Sequence, residues 1–387
     1  MCALWAGYPF IQPSNIFIKI QRTILRCNTV SFCKYTNNFL KNKNNELFIG
    51  KNILFMESYI HLYETNSEFT AAYNGTDYKE PWLSLTEENM EVNYNKPKLI
   101  DFSAEPLTFN ILSAGTINWT ASDASIAKTI DYKLNGGEWT SITSNTDSSA
   151  PTITVNPGDK LQLRGNNAQY AIDSKFGLSC SYFGGSALFE AEGNIMSLIY
   201  GDDFKNNSTI SGDYTFAGLF RGCTNLVSAE NLILPATTLA ERCYYEMFQG
   251  CTSLTIAPEL PATSLAMGCY DSMFQSCTSL TTAPALPSTT LAENCYQFMF
   301  QGCISLTAAP ELPATTLALY CYQFMFSGCK NLNYIKCLAT NVSGYSYTNY
   351  WVDGVASTGT FVKNPNMASW PTGDNGIPTG WTVQNAS

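Results

Sequence analysis

The alternation of apolar and polar residues between positions 98 and 190 predicts a series of short β-strands. Turns that contain Gly, Asn or Pro separate the alternating runs, a pattern typical of an all-β sandwich. The clearest hairpin is Tyr132–Trp139, which turns at Asn135-Gly136-Gly137. The predicted strands are Leu107–Leu112, Thr116–Thr120, Lys128–Leu134, Glu138–Ile142, Thr152–Val155, Lys160–Leu163 and Ala187–Glu192.

The second half of the chain repeats one unit of 26 residues. A fixed period of this length indicates a supersecondary unit stacked on itself rather than a closed globule. Phe216–Leu226 is a degenerate first copy, and the pattern decays after Cys329, so atypical copies are expected to cap both ends. The period is clearest in two series of cysteines, Cys243, Cys269, Cys295 and Cys321, and Cys251, Cys277, Cys303 and Cys329.

Within one copy, the spacing of apolar residues predicts a short strand, a corner and a two-turn helix. Pro258 and Pro261 limit the strand, because proline has no N–H to donate to a neighbouring strand. Leu265, Cys269, Met273 and Phe274 then fall at positions that would form one face of a helix.

Two motifs of the copies resemble the BspA-like class of leucine-rich repeats, which occurs in surface proteins of gut bacteria and in proteins of their phages. The first is the corner Met299–Leu306 (MFQGCISL), and the second is the stretch Leu312–Ala318 (LPATTLA). The resemblance covers residues 216–340. The chain departs from the commoner form in having Ala-Pro-x-Leu-Pro where that form has a β-branched run ending in Ile-Pro. The resemblance implies adhesion or host-surface binding rather than a reaction.

These patterns together predict a mixed α+β fold: an all-β, sandwich-like N-terminal module followed by a short, capped leucine-rich-repeat solenoid with a 26-residue period. The predicted segments are residues 98–193 for the β module, 194–340 for the repeats and 341–387 for the C-terminal cap.

Two segments of different composition precede the β module. Residues 1–55 hold seven Lys or Arg residues against the single acidic Glu46 and show no tidy periodicity. We interpret them as a non-native or disordered extension, with Met56 as an alternative start. Met1–Ile18 carries no positive charge, so a secretory signal is not expected.

Residues 56–97 form an acidic, aromatic segment with few aliphatic side chains, which we interpret as an attachment segment. Glu64–Tyr73 is a candidate short helix within it. Its residues Tyr73, Tyr78 and Trp82 lie in motifs that resemble leader segments of gut phage structural proteins. That resemblance implies a common attachment piece that carries different receptor-binding domains.

The overall charge of the chain narrows the choice of partners. A net charge of −10 disfavours nucleic acid, whose phosphates require clustered Lys and Arg. No run of about 18 apolar residues is present, so no membrane span is predicted. The expected partners are a host-surface protein or glycan, together with other virion proteins.

The residue types needed for catalysis or metal binding do not converge in the sequence. The lone histidine, His61, leaves no base for a Ser–His or Cys–His pair. The cysteines lack Cys-x2-Cys pairs, so a ladder of small buried thiols is favoured over zinc, with structural disulfides as the alternative. No catalytic residue, metal or cofactor is therefore predicted. The candidate carboxylates are scattered: Glu190, Glu192, Asp202, Asp203, Glu241 and Glu246.

Positions that vary between copies predict a surface. Pairs of neighbouring residues change freely while the Leu, Cys, Tyr, Met and Phe positions repeat, so the varied positions are expected to be exposed. They form either a contact stripe along the repeats or an unconstrained solvated stripe. The candidate contact residues are Glu241, Arg242, Met267, Glu293, Asn294, Leu319 and Tyr320.

The sequence thus predicts a non-enzymatic, modular binding protein. The first hypothesis is a phage tail or head appendage on the virion surface, whose repeats contact a host glycan or protein. The alternative is a bacterial cell-surface adhesin of the BspA-like class. A carbohydrate-active enzyme built on the sandwich is a distant third hypothesis, because a pair of carboxylates suffices for glycoside hydrolysis.

Overall fold

The structure, a computed structural model, describes residues 101–174, 177–343, 346–367 and 369–386, and the backbone of residues 83–85 and 92–94. The chain divides into two compact units, Met1–Ile100 and Asp101–Ser387. In the first unit, β1 (Leu83–Leu85) pairs with β2 (Val92–Tyr94) in antiparallel fashion. Outside the described residues lie the predicted extension 1–55, the candidate helix Glu64–Tyr73, His61, Tyr73, Tyr78 and Trp82.

The second unit begins with two sheets, one of four strands and one of six. The strands are β3 (Thr108–Ile111), β4 (Gly115–Ala121), β5 (Thr129–Leu134), β6 (Thr140–Thr143), β7 (Thr152–Val155), β8 (Lys160–Arg164), β9 (Ala171–Ser174), β10 (Gly177–Gly185), β11 (Phe189–Asn194) and β12 (Leu226–Ile233). Their order is β7-β4-β10-β9 in the first sheet and β12-β11-β3-β8-β5-β6 in the second. Neighbouring strands are antiparallel except for β11 and β12, which run parallel.

Aromatic side chains from both sheets meet in one core. Phe109 of β3 contacts Phe183 of β10 with ring centroids 5.0 Å apart, and Trp119 of β4 lies 4.5 Å from the same Phe183 ring. All three side chains are buried. Burial of this apolar surface is the main term that holds the sheets together.

The seven strands predicted in this region are present, with ends that differ by at most two residues. The Asn135-Gly136 turn is confirmed as well. Asn135 and Gly136 both have positive φ (51° and 73°), and the Gly137 N–H donates to the Leu134 carbonyl at 2.9 Å. This is the left-handed turn that matches the twist of paired strands.

The sequence did not predict β9 and β10. Strand β10 is buried on both faces at the small residues Ser179, Cys180 and Ser181, and the strand ends at Gly184-Gly185. Small, polar and glycine residues have low intrinsic strand preference, so these two strands depend on pairing with each other and with β4.

Strand β11 joins the two halves of the unit. It pairs with β3 on one side and with β12, the first strand of the repeat region, on the other. A Cβ at Gly193 would lie 2.1 Å from the Pro106 carbonyl oxygen, so this position requires glycine. Immediately afterwards comes α1 (Ser197–Tyr200), the one α-helix in the described part of the chain.

The repeats stack through backbone hydrogen bonds that link successive coils. The N–H groups of Tyr244, Tyr270 and Tyr296 donate to the carbonyls of Cys269, Cys295 and Cys321, each at 3.1 Å. Other N–H groups of the same turn segments bond within their own coil. The Met247 N–H, for example, donates to the Tyr244 carbonyl at 3.2 Å. Backbone donors therefore point alternately to the next coil and to the carbonyl three residues earlier.

The predicted helix between Leu265 and Phe274 is wrong. Every fourth residue there has a positive φ: Gly268 (56°), Ser272 (56°) and Ser276 (61°). A right-handed helix cannot contain such residues, so the segment is a series of overlapping tight turns. The helical part of the predicted mixed α+β fold thus shrinks to α1, and the unit is mostly β.

The proline-rich side of the coils carries little regular sheet. Coils there are joined by single parallel bridges, such as Ser228 to Ile256 and Ile256 to Thr282. A strand reappears where Lys336 replaces the first proline of the motif, which restores a backbone donor. The last sheet is wholly parallel and consists of β13 (Tyr334–Cys337), β14 (Thr360–Lys363) and β15 (Thr382–Asn385).

Two columns of aromatic rings run through the interior of the repeats. Equivalent rings of successive coils stack nearly parallel with centroids 5.4 to 6.2 Å apart. Buried free cysteines fill the space beside them; the thiol of Cys251, for example, donates to the Phe220 carbonyl at 3.0 Å. The columns are Tyr244, Tyr270, Tyr296 and Tyr322, and Phe220, Phe248, Phe274, Phe300 and Phe326.

Candidate binding surface

The predicted contact residues come together in one band on the turn face of the repeats, and we call this set the contact band. Each coil places its pair of residues next to the pair of the following coil. Backbone bonds fix this arrangement: the Arg242 N–H donates to the Met267 carbonyl, and the Asn294 N–H donates to the Leu319 carbonyl, both at 2.9 Å. The band consists of Glu241, Arg242, Met267, Glu293, Asn294, Leu319 and Tyr320.

The chemical character of the contact band changes along the stack. At its first coil, Arg242 donates to the Tyr214 hydroxyl at 2.6 Å and lies 3.7 Å from the Glu241 carboxylate. At its last coil, the neighbouring side chains of Leu319 and Tyr320 are 41% and 36% exposed. The band thus grades from a charged end to an apolar end.

An outer aromatic column lies beside the apolar end of the band and was missed by the sequence analysis. Its members are Phe298, Phe324 and Tyr350. Phe298 and Phe324 lie four residues after Asn294 and Tyr320 of the contact band, and Tyr350 occupies the equivalent position in the next coil. Their rings stack at 4.9 and 5.4 Å, and Tyr350 is 46% exposed. The equivalent residues of earlier coils are Glu246 and Ser272, so the column has no counterpart there. Its sequence signal is the aromatic identity shared by the last copies.

Ladders of glutamine amides flank the outer aromatic column. The Gln297 amide donates to the Gln323 carbonyl oxygen at 2.5 Å, and Gln249, Gln275 and Gln301 form a second ladder in which each amide donates to the next. Each glutamine side chain has two donor hydrogens and two acceptor lone pairs, so every rung retains unused capacity. The ladders hold the turn face rigid and supply polar groups along its length.

Several of the scattered carboxylates are engaged in ion pairs. Both oxygens of Asp202 accept from Arg164 Nη1 at 2.7 Å, and Glu246 lies 3.2 Å from Arg221 Nε. The Glu192 carboxylate lies 3.5 Å from Lys160. Over the described residues, no group of three His, Cys, Asp or Glu side chains is placed to hold a metal ion.

The cysteines of the described region are buried thiols, as the preferred interpretation of the sequence had it. Burial raises the pKa of the Cys180 thiol to about 11, and burial likewise raises the pKa of Cys269 to about 12. A nucleophilic cysteine requires the opposite shift, because the thiolate is the reactive form. Burial and this shift both disfavour the thiolate, which suits a packing role.

Comparison with known proteins does not assign a family. No protein-family model, no curated protein and no solved structure matches this chain. Among the helices of the described residues, none has the length and apolar character needed to cross a membrane.

Proposed function

We propose that this chain is a non-enzymatic, modular binding protein whose repeat region contacts a protein or glycan on a host surface. In this proposal residues 98–193 are a β-sandwich spacer and residues 194–340 are a short BspA-like leucine-rich-repeat solenoid capped by residues 341–387. The virion surface is the proposed location, with the chain acting as a phage tail or head appendage, because the motifs around Tyr73, Tyr78 and Trp82 resemble phage leader segments.

The continuity of the contact band is the observation that carries the proposal. The interior of the repeats is nearly invariant, with stacked Tyr, Phe and Cys columns, whereas the outward pair of residues differs in each coil. A rigid frame with variable outward positions suits recognition, since rigid side chains lose little entropy on binding. A catalytic site, in contrast, requires a few groups converging on one point.

The apolar end of the band is the favoured centre of contact. Leu319, Tyr320 and the neighbouring outer aromatic column expose aromatic surface beside amide groups. Tyrosine combines a large apolar ring with a hydroxyl and is enriched at the energetically dominant positions of interfaces. Substitutions there should therefore reduce binding more than substitutions at the charged end.

The repeats suggest a test variant in which the outward pair of one copy is replaced by the pair of the preceding copy. Leu319→Glu combined with Tyr320→Asn gives the last pair of the band the residues of the preceding copy, Glu293 and Asn294. Ile256→Thr is the matched control, because Ile256 is similarly exposed but lies on the proline side, where the next copy has Thr282. Labelled protein is added to host cells and bound fluorescence is measured by flow cytometry.

The double variant is expected to bind at least ten-fold more weakly, and the Ile256→Thr variant within two-fold of the unmodified chain. Equal binding by both variants would contradict a role for the contact band.

Mass spectrometry of purified virions and of host surface fractions separates the two proposed locations. Peptides found only in the cell-surface fraction would replace the phage appendage with the bacterial adhesin.

A further inference from the structure

A cavity of about 140 Å³ lies where the β strands meet the first coils of the repeats. This is several times the volume that one water molecule occupies. Its walls come from both regions: Asp173 and Leu178 belong to β9 and β10, and Tyr214, Arg242 and Tyr245 belong to the coils. Asp271, from the following coil, completes the lining.

Asp271 is the unusual member of this lining, because its carboxylate is buried without a cation. The residue is only 9% exposed. Within the described region its Oδ1 accepts one side-chain hydrogen bond, from Ser272 Oγ at 2.8 Å, and no Lys or Arg forms an ion pair with it. Buried carboxylates are normally paired, so this one has unused capacity for a charged donor.

The charges around the cavity favour a cationic ligand. Arg242 carries the one positive charge in the described lining, and that guanidinium already contacts the Tyr214 hydroxyl and the Glu241 carboxylate. Asp173 at the exposed rim and Asp271 in the buried part leave an excess of negative charge. The Arg242 guanidinium already lies 5.7 Å from the centroid of the Tyr214 ring, so the Tyr245 ring is the aromatic surface in the lining that remains to attract a cation.

Asp271 also differs from the residues at the equivalent position of the following coils. The equivalent residues of the next two coils are Gln297 and Gln323, which bond to each other through their amides. The frame thus accommodates a neutral amide at this position. The carboxylate is not needed for stacking, and burial opposes its charge, since it raises the pKa of Asp271 to about 7.

We propose that this cavity binds a primary ammonium group, with Asp271 as the buried counter-ion and Tyr214, Tyr245 and Asp173 around it. The proposal rests on the adhesive function proposed above, since it names the chemical group that the charged end of the contact band would capture. An amino sugar and a lysine side chain both carry this group. A charge-assisted hydrogen bond to Asp271 would hold it.

Calorimetric titration of the full chain tests the proposal with small probes in phosphate buffer at pH 7. Glucosamine represents an amino sugar, Nα-acetyl-lysine amide represents a lysine side chain, and glucose lacks the ammonium group. Asp271→Asn and Asp271→Gln remove the counter-ion, and the second reproduces the residue of the neighbouring coils. Glu259→Gln is the matched control, because Glu259 is an exposed acidic residue outside the cavity.

At least one amine is expected to bind in the millimolar range and glucose at least ten-fold more weakly. Both Asp271 variants should weaken amine binding at least ten-fold, whereas Glu259→Gln should change it less than two-fold. The amine that binds more tightly identifies the source. Binding of glucose as tight as glucosamine, unchanged binding by the Asp271 variants, or no amine binding would each overturn the proposal.

Cell binding by the same proteins separates this proposal from the adhesive function. If the unmodified chain binds host cells but neither amine, the ammonium site is wrong and the adhesive function stands. If an amine binds through Asp271 but the chain does not bind cells, the site stands and the adhesive function is wrong.

Discussion

The ring of Tyr170 stacks on the ring of Phe216, with centroids 6.4 Å apart and an angle of 11° between the planes. Tyr170 belongs to the β-sheet half of the second unit, where its hydroxyl donates to the Leu198 carbonyl at 2.7 Å. Phe216 belongs to the first coil and stacks in turn on Tyr244 at 5.9 Å. The interior tyrosine column of the repeats therefore begins at Tyr170, directly before β9 of the sheets.

This continuity predicts that the sheets and the repeats unfold together. Phe216→Ala removes the ring that joins them and should lower the free energy of unfolding by about 3–5 kcal/mol, because it leaves a cavity in a packed core. Urea unfolding is followed by circular dichroism and by tryptophan fluorescence, which should give coincident transitions. Tyr350→Ala, at an exposed position, should cost less than about 1 kcal/mol. Two well-separated transitions in the unmodified protein would contradict the joint core.

The buried hydroxyls of the tyrosine column predict a stabilising substitution. In the described structure the Tyr296 hydroxyl is buried without a hydrogen-bond partner. Leaving a polar group in this state is unfavourable, so Tyr296→Phe should raise the free energy of unfolding by about 1 kcal/mol. Tyr170→Phe should lower it by a similar amount, because it removes the bond to the Leu198 carbonyl. The two thermal midpoints should shift in opposite directions, and a common direction would refute the hydrogen-bond argument.

A second stabilising substitution follows from the left-handed positions of the turns. Ser276 has a φ of 61°, whereas the equivalent residues of neighbouring coils are Gly250, Gly302 and Gly328. Because a left-handed conformation strains every residue with a Cβ, Ser276→Gly should stabilise the fold by roughly 1 kcal/mol. The reverse exchange at Gly302, Gly302→Ser, should destabilise it by a similar amount. Denaturant midpoints check both, and a destabilised Ser276→Gly variant would contradict the prediction.

The sequence predicted the period and the strands of the β module because both leave direct marks. Cysteines recur every 26 residues, and stacked coils with equivalent rings in contact follow from that recurrence. The turn segment was predicted as a helix because Leu265, Cys269 and Met273 recur every four residues and Phe274 falls on the same face. Over two turns this spacing is hard to distinguish from the 3.6 residues of a helix. The recurring glycines at 250, 302 and 328 follow the segment, where a helix would also end at glycine, so they do not distinguish the two structures.

The candidate surface was predictable only in part. Variation between copies predicted exposed positions, and Glu293, Leu319 and Tyr320 are exposed, whereas the other four residues of the contact band are half-buried. The cavity beside Arg242 could not be predicted in this way, since it depends on Asp173 and Leu178, which are far away in sequence. The sequence also shows Asp271 where the next two copies have Gln297 and Gln323, but this difference does not reveal that the carboxylate is buried.

The buried thiols predict a labelling pattern. Burial raises the pKa of Cys180 to about 11, so only about one molecule in a thousand carries the thiolate at pH 8. Iodoacetamide added to the native protein at pH 8 should leave Cys180 and the cysteines of the repeats unmodified. The same reagent in concentrated urea should modify all of them, as peptide mass spectrometry would detect. Rapid labelling of Cys180 in the native protein would show that its side chain is accessible to solvent.

Asp271 predicts a pH dependence of stability with a definite sign. Burial raises its pKa in the folded chain to about 7, helped by the nearby Glu246 and opposed by the hydrogen bond from Ser272 and by Arg242. The folded state therefore holds a proton that the unfolded chain, with its ordinary pKa of 3.8, has already released. Stability contributed by this group is present below pH 4 and is lost as the pH rises to 7.

The matched variant isolates this effect from the other carboxylates. Asp271→Asn keeps the shape of the side chain but cannot ionise, so the difference in unfolding free energy between variant and unmodified protein should grow from pH 4 to pH 7 and then level off. One pH unit corresponds to about 1.4 kcal/mol, so the total change is on the order of 4 kcal/mol. Urea titrations at pH 4, 5.5, 7 and 8 measure it. Bound Nα-acetyl-lysine amide, whose ammonium group stays protonated at pH 8, should reduce the difference above pH 7, because it neutralises the same charge. A difference that stays constant with pH would mean that Asp271 titrates normally and is not buried as described.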